Sequence, residues 1–182
     1  MNANELLLQL KLFTETTIKD ILMPLRPNPD NEDPGYRVAD VHIAHIPELS
    51  AVERKVPYIC HNLLVKQYSQ KPRELPQSLV FIRSVFVVFD EDEQTGSFML
   101  QNLVDRLSLD LLEKRILDNR FELVLDSNTT LEVLVYQEDT RPYYMGEMLT
   151  CWDIPPIRRE VDLFGGNERE LFGFESREEY EH

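Results

Sequence analysis

The sequence feature that most constrains the fold is the apolar run LVFIRSVFVVF at residues 79–89. β-branched and aromatic residues dominate this run, and only Arg83 and Ser84 interrupt it, which is typical of a β-strand. Because apolar side chains occupy both alternating positions, we expect the strand to be covered on both faces. Such cover is found inside a sheet, so the run predicts a central strand.

A helix is predicted directly after this strand, beyond the acidic turn DEDEQTG at residues 90–96. Ser97 is the expected N-cap, and carboxylates ahead of a helix N-terminus interact favourably with its dipole. Alternating oxygen side chains in the turn resemble the ligands of a calcium loop. That loop needs Gly where Thr95 stands and a bidentate Glu where Gln101 stands. We therefore expect a solvated turn and no bound metal.

The predicted helix carries apolar side chains on two sides. The stripe assigned to the sheet consists of Leu100, Leu103, Val104, Leu107 and Leu111. A second stripe on the opposite side consists of Leu109, Leu112 and Ile116. An apolar stripe of this kind needs cover, either from the N-terminal helix or from another subunit, so its three residues are candidate interface residues.

Residues 4–25 predict an N-terminal amphipathic helix that Pro24 and Pro27 end. Its broad apolar face comprises Leu6, Leu7, Leu10, Phe13, Ile18, Ile21, Leu22 and Leu25. Leu8 and Leu12 fall on the otherwise polar side. These two residues are either scattered surface leucines or a contact with a partner.

Shorter alternating runs predict the remaining strands, at residues 37–46, 58–68 and 143–152. Residues 121–125 and 131–135 also alternate, on either side of the turn DSNT, and predict a β-hairpin. The order of elements indicates an α+β fold with a largely antiparallel or mixed sheet and helices on one face. We expect this domain to span residues 1–160.

The acidic balance of the chain argues against nucleic acid as a partner. The formal net charge is -14, whereas binding to phosphate backbones depends on Lys and Arg. Neither a secretion signal nor an apolar stretch long enough to cross a membrane is predicted. Cys60 and Cys151 stand far apart, which favours reduced, buried thiols over a disulfide or a zinc site.

No motif for catalysis or for cofactor binding occurs in the sequence. Dinucleotide, phosphate-loop, serine-hydrolase and zinc-protease patterns are all missing. Cys60 and His61 are the nearest approach to a nucleophile and a base, but neighbours on a strand point to opposite faces. His42 and His45 are likewise unsuited to binding one metal. We expect a protein that is not an enzyme and needs no cofactor.

An acidic C-terminal extension is predicted over residues 161–182. The stretch 160–182 holds eight acidic and two basic side chains, a composition that does not pack as a core element. Two apolar phrases recur within it, and their candidate interface residues are Leu163, Phe164, Leu171 and Phe172. The extension is either a mobile tail or an arm that docks on a partner.

Several phrases resemble the tail terminator proteins of long-tailed bacteriophages. They are VFVVFDEDEQTG leading to LQNLVDRLSLDLLEKRIL, then the predicted hairpin, then RPYYMGEMLTCWDIPPIRRE, and the resemblance covers about residues 37–160. The acidic extension and the proline-rich insertions depart from the family pattern. The resemblance implies a virion structural protein that assembles in the host cytoplasm. It also implies a homo-oligomeric ring, typically a hexamer, between the tail tube protein and the head–tail connector proteins.

Two other classes of function remain open from the residues alone. A non-catalytic cellular adaptor or binding module would use the same apolar surfaces, but as a monomer or dimer. A hydrolase of unrecognised type would need a polar pocket, which a sequence does not reveal.

Overall fold

The computed structural model describes residues 3–26, 35–46, 56–70, 76–126, 130–136 and 141–155. The helices in these ranges are α1 (Ala3–Ile18) and α2 (Glu93–Lys114). The strands are β1 (Met23–Pro24), β2 (Tyr36–Arg37), β3 (Asp40–Ile43), β4 (Tyr58–Ser69), β5 (Gln77–Phe89), β6 (Ile116–Leu117), β7 (Phe121–Leu123), β8 (Glu132–Val135) and β9 (Tyr143–Asp153). The predicted α+β class is confirmed.

One mixed sheet organises the fold around β5. The strand order is β3-β4-β5-β9-β7-β6, and β8 also pairs with β9. β3 lies parallel to β4, and all other pairs in this sheet are antiparallel. β5 pairs with β9 without interruption, from Leu79 opposite Asp153 to Phe89 opposite Tyr143. The predicted central position of the run 79–89 is therefore confirmed.

The two faces of β5 differ in their cover, which corrects the prediction of a strand covered on both. Side chains at even positions from Ser78 to Val88 are buried beneath the helices. At odd positions, Val87 and Phe89 are buried, whereas residues 79 to 85 are only half-buried. Both helices pack on the same face, so apolar composition at odd positions does not guarantee cover.

α2 packs on the sheet through the predicted stripe. Leu100, Leu103 and Leu107, together with the other two members of that stripe, are buried. Gly96 lies where a Cβ atom would overlap the ring of Tyr144. Glycine at this position allows the first turn of α2 to approach β9 closely.

The N-terminus of α2 corrects the predicted cap. Asp92, and not Ser97, is the N-cap, and its Oδ1 accepts a hydrogen bond from the Thr95 N–H at 2.8 Å. This hydrogen bond lowers the pKa of Asp92. Both residues can cap a helix, but the earlier one satisfies the free N–H groups of an additional turn.

The C-terminus of α2 places Ile116 outside the helix. Arg115 adopts a positive φ of 54°, and its N–H donates to the Leu111 carbonyl at 2.8 Å. The helix ends there, and Ile116 begins β6. The predicted second stripe of three helical residues is therefore wrong at its last position.

α1 ends earlier than predicted, at Ile18. The Ile21 N–H donates to the Ile18 carbonyl at 2.9 Å, which closes a tight turn, and Met23–Pro24 then forms β1 against β2. Leu22, predicted on the buried face, is exposed. Proline has no N–H, and in a helix its ring would clash with the carbonyl four residues earlier, so α1 cannot continue to Pro24.

The predicted hairpin is a different arrangement. β7 and β8 do not pair with each other but lie along the same edge of β9, with Leu123 opposite Trp152 and Glu132 opposite Leu149. Alternation in sequence reports which face a side chain occupies and not which strand is the partner. The predicted strand 37–46 is also divided, between β2 and β3, which lie in separate sheets.

A buried polar contact joins α1 to the sheet. His61 is completely buried, with Nε2 3.0 Å from Thr14 Oγ1 and Nδ1 2.7 Å from Ser84 Oγ. A neutral imidazole has one donor and one acceptor, so the two hydroxyls satisfy both nitrogens. Burial lowers the pKa of His61 to about 3, which keeps the ring uncharged in the folded protein.

We predict that His61 makes the protein sensitive to acid. Below its unfolded pKa of 6.5 the unfolded state takes up a proton that the folded state excludes until about pH 3. The free energy of unfolding of the wild type should therefore fall across this range by about 1.4 kcal/mol per pH unit more than that of His61→Gln. Urea unfolding of both proteins at several pH values measures the difference. Parallel pH curves would contradict the prediction.

Candidate interaction surfaces

Leu8 and Leu12 form an exposed pair on α1. Their exposed fractions are 50% and 55%, and they lie one helical turn apart. We call them the α1 ridge. Within the helix they stand opposite the side chains that pack on the sheet, such as Leu6 and Leu10. The structure thus places this predicted pair on one continuous surface that another protein can reach.

A groove of about 590 Å³ runs beside Leu12, between α1 and α2. Phe13 lies on its floor beneath Lys114, whose Nζ is 5.5 Å from the ring centroid. Arg106 contacts Asp20 and Asp110 at 3.7 Å and 3.9 Å. Because both charge signs line the groove, it lacks the single-sign field that attracts a strongly charged ligand.

The exposed side of α2 holds only part of the predicted second stripe. Leu109 is 65% exposed, whereas Leu112 is half-buried and packs against the core. Ile116 is exposed on β6. Phe98, which the sequence reasoning missed, is 62% exposed and lies three helical turns before Leu109 on the same side. The spacing of Phe98 and Leu109 in the sequence indicated that they share a side of the helix, because eleven residues span about three turns.

The sheet face opposite the helices, which we call the open sheet face, is a further surface that the sequence reasoning missed. Half-buried apolar side chains from neighbouring strands occupy it, including Phe81 and Val85 of β5 and Leu149 of β9. Contiguous accessible apolar faces are characteristic of surfaces that bind other proteins. The apolar residues at odd positions of β5 indicated this face, but they had been interpreted as covered by another layer.

A polar cluster lies within the open sheet face. Glu147 is nearly buried, and its Oε1 accepts from Arg83 at 2.8 Å and from the Tyr136 hydroxyl at 2.5 Å. Arg83 Nε is buried and has no hydrogen-bond partner among the described residues. Two donors on one carboxylate oxygen stabilise its charge. The cluster therefore fixes side chains of β5, of β9 and of the residue that follows β8.

Two strand segments expose apolar side chains on both faces. We call the first, residues 62–69 of β4, the β4 edge, and its exposed large apolar residues are Leu64, Val65 and Tyr68. We call the second, residues 132–136, the β8 edge, and its exposed large apolar residues are Val133, Leu134 and Tyr136. Exposed apolar edge strands readily pair with another chain.

The cysteines and histidines do not assemble into a reactive centre in the described part of the chain. His61 points beneath the helices, whereas Cys60 lies on the open sheet face, as predicted for strand neighbours. Burial raises the pKa of the Cys60 thiol, and it raises that of Cys151 to about 11. Both thiols are therefore protonated at neutral pH, which makes them poor nucleophiles.

In the described ranges, no group of three His, Cys, Asp or Glu side chains could hold a metal ion. Among the helices of those ranges, none is long and apolar enough to cross a membrane.

The predicted C-terminal extension lies outside the described residues. Leu163, Phe164, Leu171 and Phe172 therefore stay predicted interface residues, and the domain boundary at residue 160 stays a prediction.

We predict that the polar cluster stabilises the open sheet face. Tyr136→Phe should lower the free energy of unfolding by about 1 to 2 kcal/mol, because it removes a hydrogen bond to a charged group at a partly exposed position. The same change in a Glu147→Gln background should cost less than half as much, since the charge is then absent. Urea unfolding of the four proteins in this double-mutant cycle measures the coupling. Equal losses in both backgrounds would show that the bond contributes nothing specific.

Comparison with known proteins gives similarity to solved structures. No protein-family model matches the chain, and no curated protein matches it. Among solved structures, the chain is similar to one chain of the "Virion of native gene transfer agent (GTA) particle". The two share 9% sequence identity, the similarity covers 63% of this chain and 77% of that chain, and the TM-score is 0.40. At that level the similarity carries no conclusion about function, which has to be argued from the surfaces of this chain.

Proposed function

We propose that this protein is a structural component of a bacteriophage virion and acts through protein–protein contacts alone. The observation that carries the proposal is the exposure of apolar side chains on opposite sides of one α+β fold. The α1 ridge lies on the helix side, and the open sheet face lies on the other. A chain with two such surfaces can contact two neighbours at once.

Two different surfaces suit a ring. A head-to-tail contact joins one surface to a different one on the next copy, and it closes into a ring when the rotation between copies closes. A two-fold dimer needs only one self-complementary surface. The exposed surfaces of this chain differ from one another in shape and composition, so repeated head-to-tail contact suits them better than two-fold pairing.

The tail terminator is the specific role that we propose. The phrases at residues 85–96, 100–117 and 141–160 resemble that family, which implies a ring, typically a hexamer, that closes the tail tube beneath the head connector. The partners would then be further copies of this chain, the tail tube protein and the head–tail connector proteins. The location would be the virion, after assembly in the host cytoplasm, and no enzymatic step would be involved.

The mass of the purified protein tests the proposal. We expect light scattering to give a mass several times that of the 21.4 kDa chain, with six copies as the count that the resemblance implies. Electron microscopy of the same sample should show closed rings. A protein that is monomeric or dimeric at every concentration would instead favour the adaptor.

We predict that the α1 ridge takes part in assembly. Replacing Leu8 and Leu12 by Glu places two charges where apolar contact is expected, so the ring should dissociate. The free energy of unfolding of the protomer should change by only about 0.5 kcal/mol, because both side chains are exposed. Leu22→Glu is the matched control, since Leu22 is 62% exposed but lies beyond α1. An unchanged ring in the double variant would remove the ridge from the interface.

A separate prediction concerns the C-terminal extension. If its two apolar phrases dock on a neighbouring copy or on a tail or connector protein, truncation after Arg159 should leave a folded protein with impaired assembly. Circular dichroism and light scattering measure the two properties independently. Replacing Phe164 and Phe172 by Ser in the full chain is the matched test, because it keeps the charge and the length. Normal assembly of both proteins would show that the extension is dispensable.

A further inference from the structure

We propose that neighbouring copies join by strand pairing, with the β8 edge of one protomer adding to the β4 edge of the next. This inference rests on the proposed ring and names the contact that would close it. The occupant of each edge is therefore a second copy of this chain. Four properties of the two edges support the pairing. They are the outward-directed backbone groups, the strand directions, the side of the sheet on which the side chains lie, and the apolar character of those side chains.

On one side, the β8 edge presents backbone groups that pair with no strand of the described residues. β8 pairs with β9 alone among the described residues. The Tyr136 N–H donates to the Met145 carbonyl at 3.1 Å, so residues 132, 134 and 136 direct their backbone groups to β9. In an antiparallel ladder the alternate residues point the other way. Val133 and Val135 therefore direct their N–H and C=O groups outward.

The β4 edge presents the same kind of groups. β3 covers β4 only from Tyr58 to His61, and beyond that point the described residues pair with β4 only through β5. The Ile154 N–H donates to the Ser78 carbonyl at 2.9 Å, so even residues of β5 face β9 and odd residues face β4. Lys66 and Tyr68 lie opposite even residues of β5 and so direct their backbone groups outward.

Strand directions make the two edges compatible. β4, β5, β9 and β8 alternate in direction across the sheet, since each is antiparallel to the next. β8 consequently runs opposite to β4. When copies are related by rotation about an axis along the strands, β8 of one copy meets β4 of the next in antiparallel orientation. The alternation of the sheet then continues from copy to copy.

The faces of the two edges agree as well. Val133 lies opposite Met148 and Lys66 opposite Val80, and both of these partners are buried beneath the helices. The outward-directed residues of both edges thus carry their side chains on the helix side. Paired residues in a sheet share a face. Joining the edges therefore keeps the helices of neighbouring copies on the same side, as rotational symmetry requires.

The side chains of the two edges also fit each other, and the two edges are offset along the strand direction. Pairing would bring Val133 beside Tyr68 on one face and Leu134 beside Val65 on the other, which covers apolar groups that are exposed in one protomer. β8 lies level with residues 83–86 of β5, and the β4 edge lies level with residues 77–83. The join is therefore staggered along the strands. Closed sheets require such a stagger, because their strands tilt.

A proline at the β8 edge tests the backbone contact. Val133→Pro removes an outward N–H without touching the ladder to β9, and edge strands tolerate proline. The concentration for half-assembly should rise by about tenfold or more, since the intermolecular hydrogen bond is lost. Val133→Ala is the control, because it shortens the side chain but keeps the N–H, and it should assemble better than the proline variant. Equal assembly of the wild type and both variants would overturn the pairing.

Disulfide trapping provides a test that does not depend on how the proline variant folds. Leu134→Cys is mixed with Val65→Cys or with Gln67→Cys, whose side chains are expected on the same face. Oxidation should give a covalent dimer in at least one mixture. Each variant oxidised alone should give none, and neither should the wild type with its buried Cys60 and Cys151.

The outcomes separate this inference from the proposed function. If the wild type forms no ring, the proposed function fails whatever the edges do. If it forms a ring but neither mixture cross-links, the ring uses other surfaces and only the strand pairing is wrong. A covalent dimer from Leu134→Cys alone would mean that β8 pairs with β8, which also overturns the inference.

Discussion

The structure depends on the uninterrupted antiparallel pairing of β5 with β9. This pair brings together segments that α2 separates in sequence, and it creates the floor on which both helices pack. Phe86 of β5 and Trp152 of β9 are completely buried there. Both strands lie inside the sheet, where β4 borders β5, and β7 and β8 border β9. Disturbing the register of this pair would move the buried side chains of β5 to the wrong face.

Two charged side chains interrupt the apolar surface of the open sheet face and restrict which partners it can bind. Arg83 and Glu147 lie on adjacent strands and are joined at 2.8 Å, in the middle of a face that is otherwise largely apolar. Their charges oppose unspecific association, since any partner has to leave them hydrated or supply matching groups. A partner for this face must therefore be complementary in charge as well as in shape. The cluster favours selective contact over general adhesion.

The sequence predicts the elements better than it predicts their relations. The central strand, β9 and the buried stripe of α2 follow from local periodicity, which the sheet and the helices then satisfy. The start of α2 was misplaced because Asp92 and Ser97 are both good caps, and tertiary packing chooses between them. The partner of β8 could not be predicted, because alternation carries no information on which edge a strand joins.

The candidate surfaces were likewise predicted only in part, since the exposed helical residues were predicted correctly and the open sheet face was not. Leu8, Leu12 and Leu109 are exposed as their helical positions predicted, because the direction of a helical side chain follows from its spacing along the helix. The open sheet face was misjudged, since apolar residues at odd positions of β5 look alike whether or not another layer covers them.

The position of β9 in the sheet has a consequence for biosynthesis. This strand is the last element described along the chain, yet it lies between β5 and the edge strands. During synthesis, β5 has one unpaired side until β9 is made, so this side of an apolar strand stays open to aggregation while residues 90–142 are translated.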